Sequence, residues 1–164
     1  MKEYQSTTVD QLTPKDPGDF RIFFQNPNGI KVFHQEDPEY LPSIETFKNN
    51  EADMICLSET NVPWHRNDML YNAHKQNQIT WNHLPIKTVA ASCRQDRTTY
   101  KNYQPGGCLT AVTNNMTTKI KNSTSDYLGR WTKVNFFACK GTVSVYTVYR
   151  PNPSSLGQAG GETV

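Results

Sequence analysis

A carboxylate stands at the end of an apolar run in this chain. Met54-Ile55-Cys56-Leu57 is continuous and apolar, and Ser58-Glu59-Thr60 follows it. Runs of that kind form strands buried on both faces. A polar residue just beyond such a strand lies where the chain leaves the sheet, which in α/β sheets is the edge where ligands bind. Glu59 is hard, anionic and oxygen-bearing, so it suits Mg²⁺ or Mn²⁺ better than a soft metal. The plain alternative is a strand that ends in a solvated glutamate.

A second group of polar side chains follows another β-rich run. Phe20-Arg21-Ile22-Phe23-Phe24 leads into Gln25-Asn26-Pro27-Asn28-Gly29, a strong turn signal. Between the two runs Leu41, Ile44 and Phe47 recur at helical spacing. Pro42 falls in the first turn and Asn49-Asn50 offers a stop, so a helix is predicted from Pro38 to Asn50. Strand, helix and strand with short links form a βαβ unit whose strands run parallel. Parallel strands end on one side, so the Asn26–Asn28 loop and Glu59 should meet at one sheet edge.

The remaining elements read as follows. A second helix is predicted over Asp68–Gln78, with Met69, Leu70 and Ala73 inward, and a strand over 80–91 with uncertain ends. Residues 92–106 form a polar, basic loop in which Tyr100, Lys101, Asn102 and Tyr103 interleave rings and charge, a pattern able to hold a nucleic-acid backbone. Gly106-Gly107 opens a strand through Leu109, Ala111 and Val112. A short strand begins at Lys119–Lys121, and Arg130–Phe137 and Val143–Tyr149 follow as an antiparallel meander. Val143, Val145, Thr147 and Tyr149 share one face of the last strand.

The 164 residues fit one domain, with 35% hydrophobic residues and a mean hydropathy of −0.72. The net charge of +2 decides no partner, but its distribution is uneven. Residues 36–60 carry a balance of −6, residues 61–102 of +4 and residues 115–150 of +5. An acidic stretch holding Glu59 followed by two basic ones fits a metal site beside a polyanion. Cys56, Cys93, Cys108 and Cys139 form no CxxC, and Cys56, Cys108 and Cys139 lie in apolar runs that suit buried thiols. The four histidines show no zinc spacing. No apolar leader and no run of membrane-spanning length is present, which predicts an intracellular location, the nucleus included, and no membrane partner.

The landmarks stand in a fixed order: Asn26-Pro27-Asn28-Gly29, Ile55-Cys56-Leu57-Ser58-Glu59-Thr60, Gly106-Gly107 and Tyr149-Arg150-Pro151-Asn152. This order resembles the endonuclease/exonuclease/phosphatase superfamily, and within it the apurinic-like endonuclease domains of non-LTR retroelements. The resemblance covers about residues 20–153. It implies an α/β fold, here about half of a two-sheet α/β sandwich with mixed strands and flanking helices. A disordered arm would precede it at 1–18 and a tail would follow it at 154–164. By resemblance Glu59 is the ligand of a divalent metal, Mg²⁺ or Mn²⁺, and Asn28 joins that site. Asn26 hydrogen-bonds within the site. Tyr149 stands near the scissile phosphate of a DNA substrate, and Arg150 and Asn152 lie at the phosphate-binding edge.

Two departures from the family pattern matter. Gln25 replaces a frequent tryptophan. The family's Asp-x-Asn strand end and terminal Asp-His pair have no counterpart after Asn152. The resemblance therefore implies the N-terminal part of a metal-dependent phosphodiester hydrolase, weak or inactive alone, whose second half belongs to further sequence or to a partner chain. The face bearing Val143, Val145, Thr147 and Tyr149, with Phe136 or Phe137 nearby, would then lack its cover. A non-catalytic nucleic-acid-binding remnant and a phosphatase of the same superfamily are the other readings.

Overall fold

The structure, a computed structural model, describes residues 12–32, 44–93 and 104–150. Its elements in chain order are β1 (Ile22–Gln25), α1 (Ile44–Asn49), β2 (Met54–Ser58), α2 (Asn67–Thr80), β3 (Ile86–Ala91), β4 (Cys108–Thr113), a 3₁₀ turn (Asn114–Lys119), β5 (Ile120–Ser125), β6 (Trp131–Ala138) and β7 (Gly141–Val148). They form a four-stranded sheet of order β1-β2-β4-β3 and a three-stranded sheet of order β5-β6-β7.

The first sheet is mixed, because β1 and β2 run parallel while β4 is antiparallel to both β2 and β3. The parallel pair is the expected βαβ unit. The helical pattern over 38–50 is described only from Ile44 onward, where Ile44 and Phe47 are buried as their spacing predicts. The other helix runs to Thr80, beyond the expected stop at Gln78, and Trp81 at its end is core rather than strand. Strand β3 consequently begins only at Ile86.

All of β2 is buried, and its alternation sorts the residues onto two cores. Ile55 and Leu57 point toward α1 and α2 and join Phe47, Trp64, Met69, Ala73, Trp81, Leu109 and Ala111. Met54 and Cys56 point the other way and join Val112, Val134 and Phe136, with Val145 packed alongside. The second core lies between the sheets. The layers are thus helix, sheet, sheet, and β7 passes over β2 and β4 while β5 passes over β3.

This corrects one expectation. The face of β7 that carries Val145 and Thr147 does not wait for a missing cover. Thr147 is fully buried and Val145 half-buried, because the 3₁₀ turn at Asn114–Lys119 carries the chain from β4 into a sheet of its own that folds back on the first. Val143, on the same face near the strand's start, is exposed. A hydroxyl cluster closes the middle of the interface. Thr110 Oγ1 lies 2.6 Å from both Thr132 Oγ1 and Thr147 Oγ1, and all three residues are buried. Buried hydroxyls are costly without such partners, so the cluster is satisfied internally.

Residues 12–19 run along the corner between α1 and β2. The Leu12 N–H donates to Asn50 Oδ1 at 3.0 Å, and Lys15 Nζ reaches both Asp53 oxygens at 2.8 and 2.9 Å. Asp53 also accepts the Arg21 N–H, which fixes the entry into β1.

Candidate active site at the strand ends

The register of the first sheet decides what meets at its edge. Gln25 stands opposite Leu57, so the next residues of β1 and β2, Asn26 and then the Asn28 loop, leave the sheet beside Ser58 and Glu59. Strand β4 begins at Cys108 opposite Ser58, which brings Gly106 and Gly107 to the same edge. Trp131 pairs with Val148, and the Cys108 thiol lies 3.6 Å from the Arg130 carbonyl, so the end of β7 arrives there too.

Side chains then join these strand ends. Asn26 Nδ2 donates to Glu59 Oε2 at 2.7 Å, and Asn26 Oδ1 accepts the Asn28 N–H at 3.0 Å. The amide of Asn26 is committed at both ends. Its oxygen shapes the turn and its nitrogen holds the carboxylate, so Asn26 orients Glu59 rather than offering an oxygen to a metal. The expected convergence of Asn26, Asn28 and Glu59 is present in the structure.

The loops around them are pinned by backbone bonds. The Gly29 and Ile30 N–H groups donate to the Glu59 and Thr60 carbonyls at 2.9 and 3.0 Å. The Thr60 and Asn61 N–H groups donate to the Gly107 and Gly106 carbonyls at 3.2 and 2.7 Å. Asn61 Oδ1 accepts the Gly106 N–H in return at 2.8 Å. The backbone there is unusual: Asn28, Glu59 and Asn61 have φ of 50°, 54° and 55°. A left-handed conformation is uncommon outside glycine, and for glutamate it costs on the order of 1–2 kcal/mol. Such outliers collect at functional sites, held by the structure around them.

Tyr149 completes the edge. A Cβ on Gly106 would fall 2.7 Å from Tyr149 Cε1, and Gly106 also has φ of +82°, so only glycine fits under the ring. The Tyr149 N–H donates to the Arg130 carbonyl at 2.7 Å, which fixes where the ring sits. Arg150 follows and is exposed. Asn152, Lys101 and Tyr103 lie outside the described residues.

Sequence reasoning passed over two residues here, Asn61 and Trp64. Asn61 ties β2 to the Gly106 turn, Thr60 accepts a hydrogen bond from Trp64 Nε1 at 2.8 Å, and Trp64 seals the edge from the helix side. The signal was present in the i, i+4 spacing of Thr60 and Trp64 and in an asparagine two residues beyond the glutamate. Among the described residues no three His, Cys, Asp or Glu side chains gather where they could hold a metal. Glu59 is the carboxylate of this edge.

No protein-family model and no curated protein matches the chain. Among solved structures it is similar to an AP endonuclease from Leishmania major, at 14% identity and a TM-score of 0.51, over 79% of this chain and 40% of that one. The chain therefore spans well under half the length of that structure. At such identity the likeness is one of fold, and the two sheets with their helices are part of an AP-endonuclease-like α/β fold.

Proposed function

We propose that this chain is the N-terminal part of a metal-dependent nuclease domain, of the kind found in retroelements, acting on DNA. The observation that carries the reading is the 2.7 Å bond from Asn26 to Glu59, which joins two parallel strand ends at the edge where Tyr149 packs on Gly106. Glu59 would hold Mg²⁺ or Mn²⁺, with Asn28 beside it. Mg²⁺ is bound through one or two carboxylates plus substrate phosphates, so one glutamate on a rigid edge fits it, with weak affinity until substrate arrives. Such an ion neutralises charge on a phosphoryl oxygen. Asn26 keeps the carboxylate aimed, while Tyr149, Arg150 and Asn152 offer donors to phosphate oxygens. Lys101 and Tyr103 would contact the backbone of the nucleic acid.

The same edge favours little turnover by this chain alone. Among the described residues this edge gathers one carboxylate and no cluster of further acids or histidines to activate water, and general-base help is commonly worth about 10²–10⁴-fold. Strands β1 and β7 end their sheets on the same side of the sandwich. Beside that side Ile22 and Phe24 are exposed, Phe24 at 62%. Open edges and apolar residues there suit further strands, from additional sequence or a partner chain. Incubation of the chain with abasic duplex DNA and Mg²⁺ tests this. Slow or undetectable nicking is expected. Robust nicking lost in Glu59→Ala would show that this half suffices, and cleavage of a soluble phosphomonoester instead would favour a phosphatase.

A further inference from the structure

On the side of the sandwich away from β1 and β7 a groove of about 640 Å³ lies between α2 and the edge strands β3 and β5. Its wall carries His65, Asn67, Lys87, Ser123 and Ser125, and a shallower hollow of about 300 Å³ continues it past Tyr71 and His74. The lining is rich in donors, and among the described residues no carboxylate lines the main groove. Asp126 lies at its upper end, but Arg130 Nε holds that carboxylate at 2.7 Å. Among the described strands β3 pairs with β4 alone and β5 with β6 alone, so the facing strand edges add backbone groups that no ladder uses.

One indole borders both the groove and the Glu59 edge. Trp64, which lines it, donates to Thr60, the residue after Glu59. The His65 N–H donates to Ser92 Oγ at 3.1 Å just beyond the end of β3. We propose that this groove holds the flank of a single-stranded nucleic acid as it leaves the Glu59 edge, a role that rests on the nuclease reading of that edge. Lys87 neutralises a phosphate, while His65, Asn67, Ser123 and Ser125 donate to backbone oxygens. Tyr71 is exposed, with Lys75 Nζ 4.9 Å above one face of its ring, and its other face is a platform for a base. Strand β3 runs for about 20 Å, so the groove adds several nucleotides to what the edge alone contacts.

The test uses the full chain and two fluorescein-labelled oligonucleotides, dT4 and dT12, followed by anisotropy in EDTA and at several salt concentrations. The wild type is expected to bind dT12 more tightly than dT4. Lys87→Glu should weaken dT12 about tenfold and lower the salt slope by about one, with dT4 unchanged. Ser123→Lys, at a half-buried surface position, should tighten dT12 and steepen the slope. Binding of both oligonucleotides with neither variant affecting dT12 would overturn the groove and leave the edge standing. A groove that accepts an added peptide strand instead would give that result. Failure of the wild type to bind either oligonucleotide would overturn the groove, while the edge is judged separately by nicking of abasic duplex DNA in Mg²⁺.

Discussion

Strands β2 and β7 lie across the same core and are built on different terms. All five residues of β2 are buried, so both of its faces are packed, one by helices and one by the second sheet. Strand β7 buries Thr147 and half-buries Val145, while Tyr146 and Val148 stand exposed on its outer face. The outer face of the first sheet has α1 and α2, and the second sheet has no such cover among the described residues. The glutamate of the site was placed at the end of the strand that is held from every side. The left-handed backbone of Glu59 needs that support, because a strained residue persists only where its surroundings over-determine it. Tyr149 extends from the less protected strand, where its N–H donates to the Arg130 carbonyl and its ring lies over Gly106.

The sharpest way to break this contrast is to cut the same kind of group from each strand. Leu57→Ala removes a fully buried side chain and should cost about 2–5 kcal/mol in a denaturant melt. Val148→Ala, at a site 55% exposed, should stay within about 0.5 kcal/mol. Equal losses would mean that the outer face of β7 is covered in solution. The hydroxyl cluster between the sheets comes next. Thr110→Val keeps the shape and leaves two buried hydroxyls without their shared partner, so about 1–3 kcal/mol should be lost. A neutral result would mean that Thr132 and Thr147 find each other or water.

A smaller effect concerns the thiols. Burial pushes the Cys108 thiol up to about 12 and raises that of Cys56. Both are therefore protonated in the fold at pH values where the unfolded chain loses the protons, above about 8.5. The folded state binds more protons in that window, so stability should fall as pH rises from about 8.5 toward 12. In native protein a thiol reagent should modify the exposed Cys139 quickly and leave Cys56 and Cys108 untouched until the sheets part. Fast modification of all three would show that the inter-sheet core opens readily.

Particular residues show why some of this was legible in the sequence. The parallel pairing of β1 and β2 followed from strand, helix and strand with short links, and it alone brings Asn26 beside Glu59. The apolar run of Met54–Leu57 announced burial on both sides. The two-sheet sandwich followed from the resemblance, but that this chain supplies a cover for its own β7 face was hidden, since the alternation in β6 and β7 says that one face is covered without saying by what. Only the turn at Asn114–Lys119 redirects the chain, and its Asn-Asn-Met-Thr-Thr sequence looks like any surface turn. The start of β3 was misjudged because Ile79 and Trp81 suit a strand as well as a helix end. The groove beside α2 was invisible, since it is assembled from residues as far apart as Trp64 and Ser125.

The central claim is that Glu59, aimed by Asn26, is where a divalent metal meets this chain. The direct measurement is a titration of the ¹⁵N-labelled protein with Mn²⁺, following paramagnetic broadening of its amide resonances. Broadening should begin at Asn28, Gly29, Glu59 and Thr60. It should disappear in Glu59→Gln and weaken in Asn26→Ala, where the carboxylate loses its 2.7 Å partner. Broadening that starts elsewhere, or that is unchanged in Glu59→Gln, would contradict the assignment.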